Sequence, residues 1–191
     1  MGKHERKKQV IEEAARLFSA RRFDEVLMDD IAQQAGVGKG TIYTYFADKE
    51  ELYFAAVFDG ISRLNQKLRS PADRRGDPEQ ELERMVRAIV SFFSQNRFFF
   101  RLMSREDGRS ESGKGENRKR WHEERQIQLE AIEAVLREGA EAGAFAVKNP
   151  RLEAAVLRDM VRSMMIHSGG TLGIDEMVAT IIRIFLRGVR K

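Results

Sequence analysis

Apolar residues recur along this chain at three- and four-residue intervals, the spacing of helix faces that bury one side. Val10, Ile11, Ala14, Ala15, Leu17 and Phe18 mark a first helix. Ile31, Ala32 and Ala35 mark a short second one, and Ile42 and Phe46, four apart, give a third its inward stripe. A long fourth helix is expected from Asp48 to about Arg69, on Leu52, Ala55, Ala56, Ile61, Leu64 and Leu68. Residues 70–78 read as a connector. A fifth helix then runs to about Asn96 with Leu82, Met85, Val86, Ile89, Val90, Phe92 and Phe93, a stripe too wide for a surface helix. Phe98 to Met103 form a short sixth helix, and Asp107 to Asn117 reads as a polar, Gly- and Ser-rich loop. A seventh helix follows from about Arg118 to Ala142. An eighth begins at Asn149-Pro150, and a ninth after Gly169-Gly170. The three prolines all sit at boundaries, and no segment sustains the alternation of a strand. The expected fold is all-α, with about nine helices and no internal repeat.

The stretch from Met28 to Lys49 carries the most specific chemistry. Ala32 is small enough for a second helix to approach, Gly36 sits where the chain must turn, and Val37 plugs the corner. This is the spacing of a helix-turn-helix. With Ile42 and Phe46 inward, Gly40 and Thr44 point outward, Thr41 lies beside them, and Tyr43 and Tyr45 flank the exposed side. The face has no carboxylate to repel phosphate. Lys39 and Lys49 bracket it as candidate phosphate ligands. Gly40 leaves room for backbone to approach a base edge, and Thr44 offers a methyl for thymine and a hydroxyl for either partner. The bland alternative for the tyrosines is that they cover core with their hydroxyls in water.

The flanks sharpen this reading. I-x-x-A-A-x-L-F over Ile11–Phe18 precedes D-D-I-A-x-x-A-G-V-x-K-G-T-I-Y-x-Y-F-x-D-K-E-E-L over Asp29–Leu52. Over about its first fifty-five residues the chain closely resembles the tetracycline-repressor (TetR) family of bacterial transcription regulators. The resemblance implies a three-helix DNA-binding head, residues 1–47, on a helical body, residues 48–191, that dimerises and holds a small-molecule inducer. It also implies DNA contacts at Lys39, Gly40, Tyr43, Thr44, Tyr45 and Lys49. Two positions depart from the pattern. Leu27 and Met28 stand where the family usually has a Thr that caps the second helix, so one N-cap interaction of typically ~1 kcal/mol is missing or displaced. Gly38 replaces the usual Ser before the recognition helix, at a cost of only a few tenths of a kcal/mol.

Composition changes the picture little. The net charge is +4, and residues 1–47 carry eight Lys/Arg against seven Asp/Glu, so placement matters more than bulk charge. Lys3, His4, Arg6, Lys7 and Lys8 crowd the N-terminus, where they either lie along a phosphate backbone or form a solvated tail. With no cysteine there is no disulfide framework or thiol nucleophile, which fits a reducing cytoplasm. No apolar run approaches the ~20 residues of a membrane span, and no signal-peptide core stands at the N-terminus.

In the body, helices eight and nine carry more apolar surface than one partner can hide. Val156, Met160, Met164, Met177, Ile181 and Phe185 are the expected dimer contacts, in a four-helix bundle formed by two copies; the alternative is two ordinary core helices. A two-fold dimer pairs two recognition helices with a palindromic operator. Phe92, Phe93, Phe99, Phe100, Met103 and Trp121 are candidates to line a cavity for a largely apolar inducer, or else plain core. Arg101, Arg105 and His167 are candidate polar anchors, with a satisfied buried histidine as the alternative for His167. The mechanism implied by the resemblance is a ligand-driven population shift that spoils the spacing of the two heads. The rival reading is a helical DNA- or protein-interaction module without ligand control. Catalysis has no support: His122-Glu123-Glu124-Arg125-Gln126 lacks the second histidine of a metalloprotease motif. No metal site, catalytic residue or cofactor is expected.

Overall fold

The computed structural model describes residues 2–69, 77–109, 115–168 and 170–189. Its described residues form nine α-helices and no strand: α1 Lys3–Ala20, α2 Met28–Gln34, α3 Lys39–Tyr43, α4 Lys49–Arg69, α5 Pro78–Gln95, α6 Arg97–Arg109, α7 Glu116–Glu141, α8 Pro150–His167 and α9 Ile174–Val189. They gather into two compact units, Met1–Arg63 with Asn96–Trp121, and Leu64–Gln95 with His122–Lys191. The first unit takes in, beyond residue 47, helix α4 as far as Arg63 and helix α6.

In the first unit, Val10, Ala14, Phe18, Ile31, Ile42, Phe46 and Leu52 are buried together as the core of the head. The Phe18, Phe23 and Tyr53 rings pack edge and face at centroid distances of 5.1–5.7 Å. Helix α6 lies along α1 and supplies a cap. A helix leaves its last carbonyls without intrahelical partners. Arg105 donates to those of Phe18, Ser19 (3.2 Å) and Arg21 (3.0 Å) at the end of α1. The next residue, Glu106, is buried and accepts a 2.5 Å hydrogen bond from the Tyr53 hydroxyl. These two anchors explain why α6 runs on to Arg109 although Asp107–Arg109 read as loop. Residues 110–114 of that expected loop lie outside the described residues, as do residues 70–76 of the expected connector and Gly169. Arg105 is thus a capping residue and not a free anchor for a ligand. The basic N-terminal cluster is the first two turns of α1 and not a tail. At Gly60 the ring of Phe99 comes so close that a Cβ would stand 2.6 Å from its Cδ1.

In the second unit, α5 packs against α8 and α9. All seven of its expected core residues, Leu82 to Phe93, are buried. Asn149 caps α8 by accepting from the Leu152 N–H at 3.1 Å, with Pro150 at the first helical position. Arg87 of α5 pairs with Asp175 in the first turn of α9. The expected dimer face needs correction here. Met177, Ile181 and Phe185 are 3%, 1% and 6% exposed within a single chain, so they serve its own core and have no area left for a second copy. Helix α9 carries Glu176, Thr180, Arg183 and Arg187 along one side and turns Met177, Ile181 and Phe185 into the core of its own chain. The side left open consists of Leu152, Val156 and Ile166 on α8 and Ile184 on α9, with Met160 and Met164 half-buried beside them.

Candidate nucleic-acid interface

The turn between α2 and α3 follows from its residues. Gly36 adopts φ +61°, which carries a penalty for any residue with a Cβ. Its N–H donates to the Gln33 carbonyl at 3.2 Å, and the Val37 N–H donates to the Ala32 carbonyl at 3.0 Å. This pair of bonds is a Schellman termination. It redirects the chain so that Ile31, Ala32 and Ala35 bury against Ile42 and Phe46. Leu27 is the N-cap of α2 and provides no side-chain hydrogen bond, as its missing hydroxyl implies. Gly38 likewise leaves α3 without a side-chain cap. Asp29 and Asp30, in the first turn of α2, oppose the positive end of its dipole instead.

Helix α3 is short: its last helical residue is Tyr43, with Thr44 as C-cap. The turn nevertheless carries on, since the Phe46 N–H donates to the Ile42 carbonyl at 3.0 Å. Gly40 is exposed, and a Cβ placed there would meet nothing within 4 Å. Nothing in the free protein therefore requires a glycine at that position. Thr44 is exposed, but its hydroxyl donates to the Thr41 carbonyl at 2.6 Å. It keeps a methyl and acceptor lone pairs to offer, and its donor is already used. Thr41 is half-buried beside it. Tyr43 is 47% exposed. Tyr45 is half-buried, and its hydroxyl donates to the Lys3 carbonyl at 3.3 Å, which ties α1 to the end of the recognition element.

The two lysines differ sharply. Lys49 donates to the carbonyls of Phe23 (2.8 Å) and Val26 (3.0 Å) and lies over the Phe23 ring. Its ammonium organises the loop before α2. Lys39 reaches back to Asp29 with a 2.9 Å ion pair. The hydrogen bond and charge of Asp29 raise the Lys39 ammonium above its ordinary value. Reading α3 alone missed this carboxylate. It sits ten residues earlier and arrives only through the α2–α3 angle.

The other candidate residues are distributed over both units. Phe92 and Phe93 are buried in the second. Phe99, Met103 and Trp121 are buried in the first, where Phe100 is half-buried. His167, in the last turn of α8, is exposed, which corrects its reading as a buried, satisfied histidine. Among the described residues no group of three or more His, Cys, Asp or Glu could hold a metal ion, and no helix is long and apolar enough to cross a membrane.

Residues 10–56 match the model of bacterial regulatory proteins of the tetR family, and residues 75–189 that of the tetracyclin repressor-like C-terminal domain. The chain belongs to the TetR family. It is a helix-turn-helix transcriptional regulator, and this family is one of DNA-binding regulators and not of enzymes. The TetR-family chain is 28% identical over 158 residues to YhgD of Bacillus subtilis strain 168, an uncharacterised regulator of the same type, covering 80% of this chain and 78% of that one. Among solved structures, PfmR of Thermus thermophilus superposes with a TM-score of 0.77 at 27% identity, over 93% of this chain and 97% of that chain. FadR of Bacillus subtilis, solved in complex with stearoyl-CoA, shares the fold with a TM-score of 0.79 at 17% identity, over 95% of this chain and 98% of its own.

Proposed function

We propose that this TetR-family regulator is a cytoplasmic repressor that binds a palindromic operator as a homodimer and leaves it when a small molecule occupies the body. The observation that carries the DNA-docking reading is the exposed face of α3. It presents Gly40, Tyr43 and Thr44 without a carboxylate of its own, on a helix held rigidly by the buried Ile42 and Phe46. Lys39, Thr41 and Tyr45 complete the docking face, with Lys39 and the α1 lysines as phosphate ligands. Lys49 acts through the loop it holds. A second copy would cover the open apolar side of α8 and α9, and two heads related by a two-fold axis would then read two half-sites.

For the inducer, the same fold in FadR of Bacillus subtilis holds stearoyl-CoA. In the second unit, Phe92 and Phe93 supply apolar surface for a largely apolar molecule. In the second unit the buried amides of Asn65 and Gln128 leave Oδ1 and Nε2 respectively without a hydrogen-bond partner among the described residues. Buried polar atoms ordinarily find one, so a ligand with a hydrogen-bonding end suits them.

Selecting bound sequences from random duplex DNA with the purified protein tests the first half of the proposal. Challenging the selected duplex with apolar acids, amides and acyl thioesters tests the second. Enrichment of a near-palindrome and release by one of these classes are expected. Enrichment of no sequence, or binding that no ligand class changes, would overturn the corresponding half.

A further inference from the structure

Lys39 is the single basic residue of α3, and a carboxylate already occupies it. Its Nζ lies 2.9 Å from Oδ1 of Asp29 and 3.0 Å from Oδ2, so both carboxylate oxygens face one ammonium. That is the arrangement a phosphate would offer the same lysine. Both side chains are about half exposed or more, 54% for Lys39 and 61% for Asp29, so neither is held there by burial. The pair stands beside an open depression of about 410 Å³, bordered by Leu27, Met28, Tyr43 and Lys49. Lys49 cannot take over the role of Lys39, since two carbonyls already hold it. The basic charge that α3 can offer a phosphate is therefore set by whether Asp29 lets go.

We propose that Asp29 is an intramolecular competitor for the DNA phosphate on Lys39, displaced when the head docks, and that it sets the affinity and salt dependence of DNA binding. The inference rests on the docking of α3 proposed above. Two effects act in the same direction. Docking must break the ion pair, and it leaves a carboxylate close to the phosphate backbone. The carboxylate also lowers counterion release. The ions released are cations condensed on the DNA, and Asp29 beside the phosphate offsets part of the charge that Lys39 brings, so the contact adds less than the usual increment to the salt slope. Phosphate contacts act on every sequence alike, so Asp29 holds down the affinity for random duplex as well as for the operator.

The test is a double-mutant cycle of Asp29→Asn and Lys39→Ala. Binding is measured to a selected duplex and to a scrambled one, across a range of salt, on the full-length protein. An exposed ion pair is worth little, and its range of ~0.2–1 kcal/mol corresponds to roughly 1.4- to 5-fold in affinity. With one pair in each head, D29N is expected to tighten binding to both duplexes by about 2- to 30-fold. It should also steepen the salt slope by up to about one per head. In the K39A background most of that gain should vanish. An equal gain with and without Lys39 would mean that Asp29 merely repels DNA, and looser binding by D29N would mean that it positions Lys39. Either result would overturn the inference. Because D29N removes an acidic group from the first turn of α2, its melting temperature is compared with wild type. If it falls, the cycle is repeated with Asp29→Ser, which keeps a hydrogen-bonding oxygen without charge. A wild-type protein that binds no duplex would overturn the docking of α3 itself, a failure distinct from an unaltered D29N.

Discussion

The ammonium of Lys49 lies 2.8 Å from the carbonyl oxygen of Phe23 and 4.5 Å from the centroid of the Phe23 ring. One cation thus satisfies a loop carbonyl and stacks on the same residue, which itself packs against Phe18 and Tyr53. Lys49→Ala should remove two charge-assisted hydrogen bonds and destabilise the protein by about 2 kcal/mol. For a chain of this size that is ~4–8 °C in melting temperature. Lys39→Ala, at an exposed position, should leave the melting temperature within about 1–2 °C and weaken DNA binding directly. Thermal melts beside salt-dependent binding separate the two. Equal melts for both variants would contradict the structural role of Lys49.

Gly40 offers a second separation of stability from function. Replacing a helical glycine by alanine where space allows stabilises by up to about 1 kcal/mol, and the space around Gly40 is open. Gly40→Ala should therefore melt no lower than wild type, yet lose operator affinity because its methyl stands where DNA approaches. Unchanged binding by G40A would show that this position does not meet DNA.

Gly60 behaves in the opposite way. A Cβ there would stand 2.6 Å from Cδ1 of Phe99, a ring that is 0% exposed and has nowhere to move. Gly60→Ala should cost about 1–3 kcal/mol by overpacking. Phe99→Leu should cost stability alone, but the double variant should lose less than the sum of the two. Denaturant titrations of all four proteins measure the coupling. Strict additivity would place the strain elsewhere.

The open side of α8 predicts the assembly. Val156→Arg and Ile166→Arg place charges on residues that are 49% and 50% exposed in one chain, so each should fold and sediment as a monomer. Ile181→Arg buries an unpaired charge in the chain's own core and should unfold it. Sedimentation and circular dichroism together distinguish these outcomes. Dimers that persist with Arg at both 156 and 166 would exclude this face.

Much of this was legible in the chain because it is local. Gly36 ends α2, Ile31, Ala32 and Ala35 face inward, and Leu27 fails to cap, all within the one short stretch from Leu27 to Gly36. What stayed hidden depends on atoms that arrive from elsewhere. The partners of Lys49 are backbone carbonyls of the α1–α2 loop, and backbone atoms leave no signature in side-chain identity. The Asp29–Lys39 pair needs the crossing of two helices. Asp107–Arg109 look like loop by composition, yet α6 is held through its final turns by Arg105 and Glu106. On α9, Ile184 is exposed while Ile181 and Phe185 are buried, and whether an apolar stripe meets its own chain or a second copy depends on the neighbours packed against it.

The docking of α3 in two major-groove half-sites is tested most directly by dimethyl sulfate footprinting of the selected duplex, which reports guanine N7 in the major groove and adenine N3 in the minor. The expected result is two clusters of protected N7 positions related by a dyad and separated by one helical turn or a multiple of it. A single cluster, or protection confined to minor-groove N3, would contradict a two-fold regulator that reads DNA with Gly40 and Thr44.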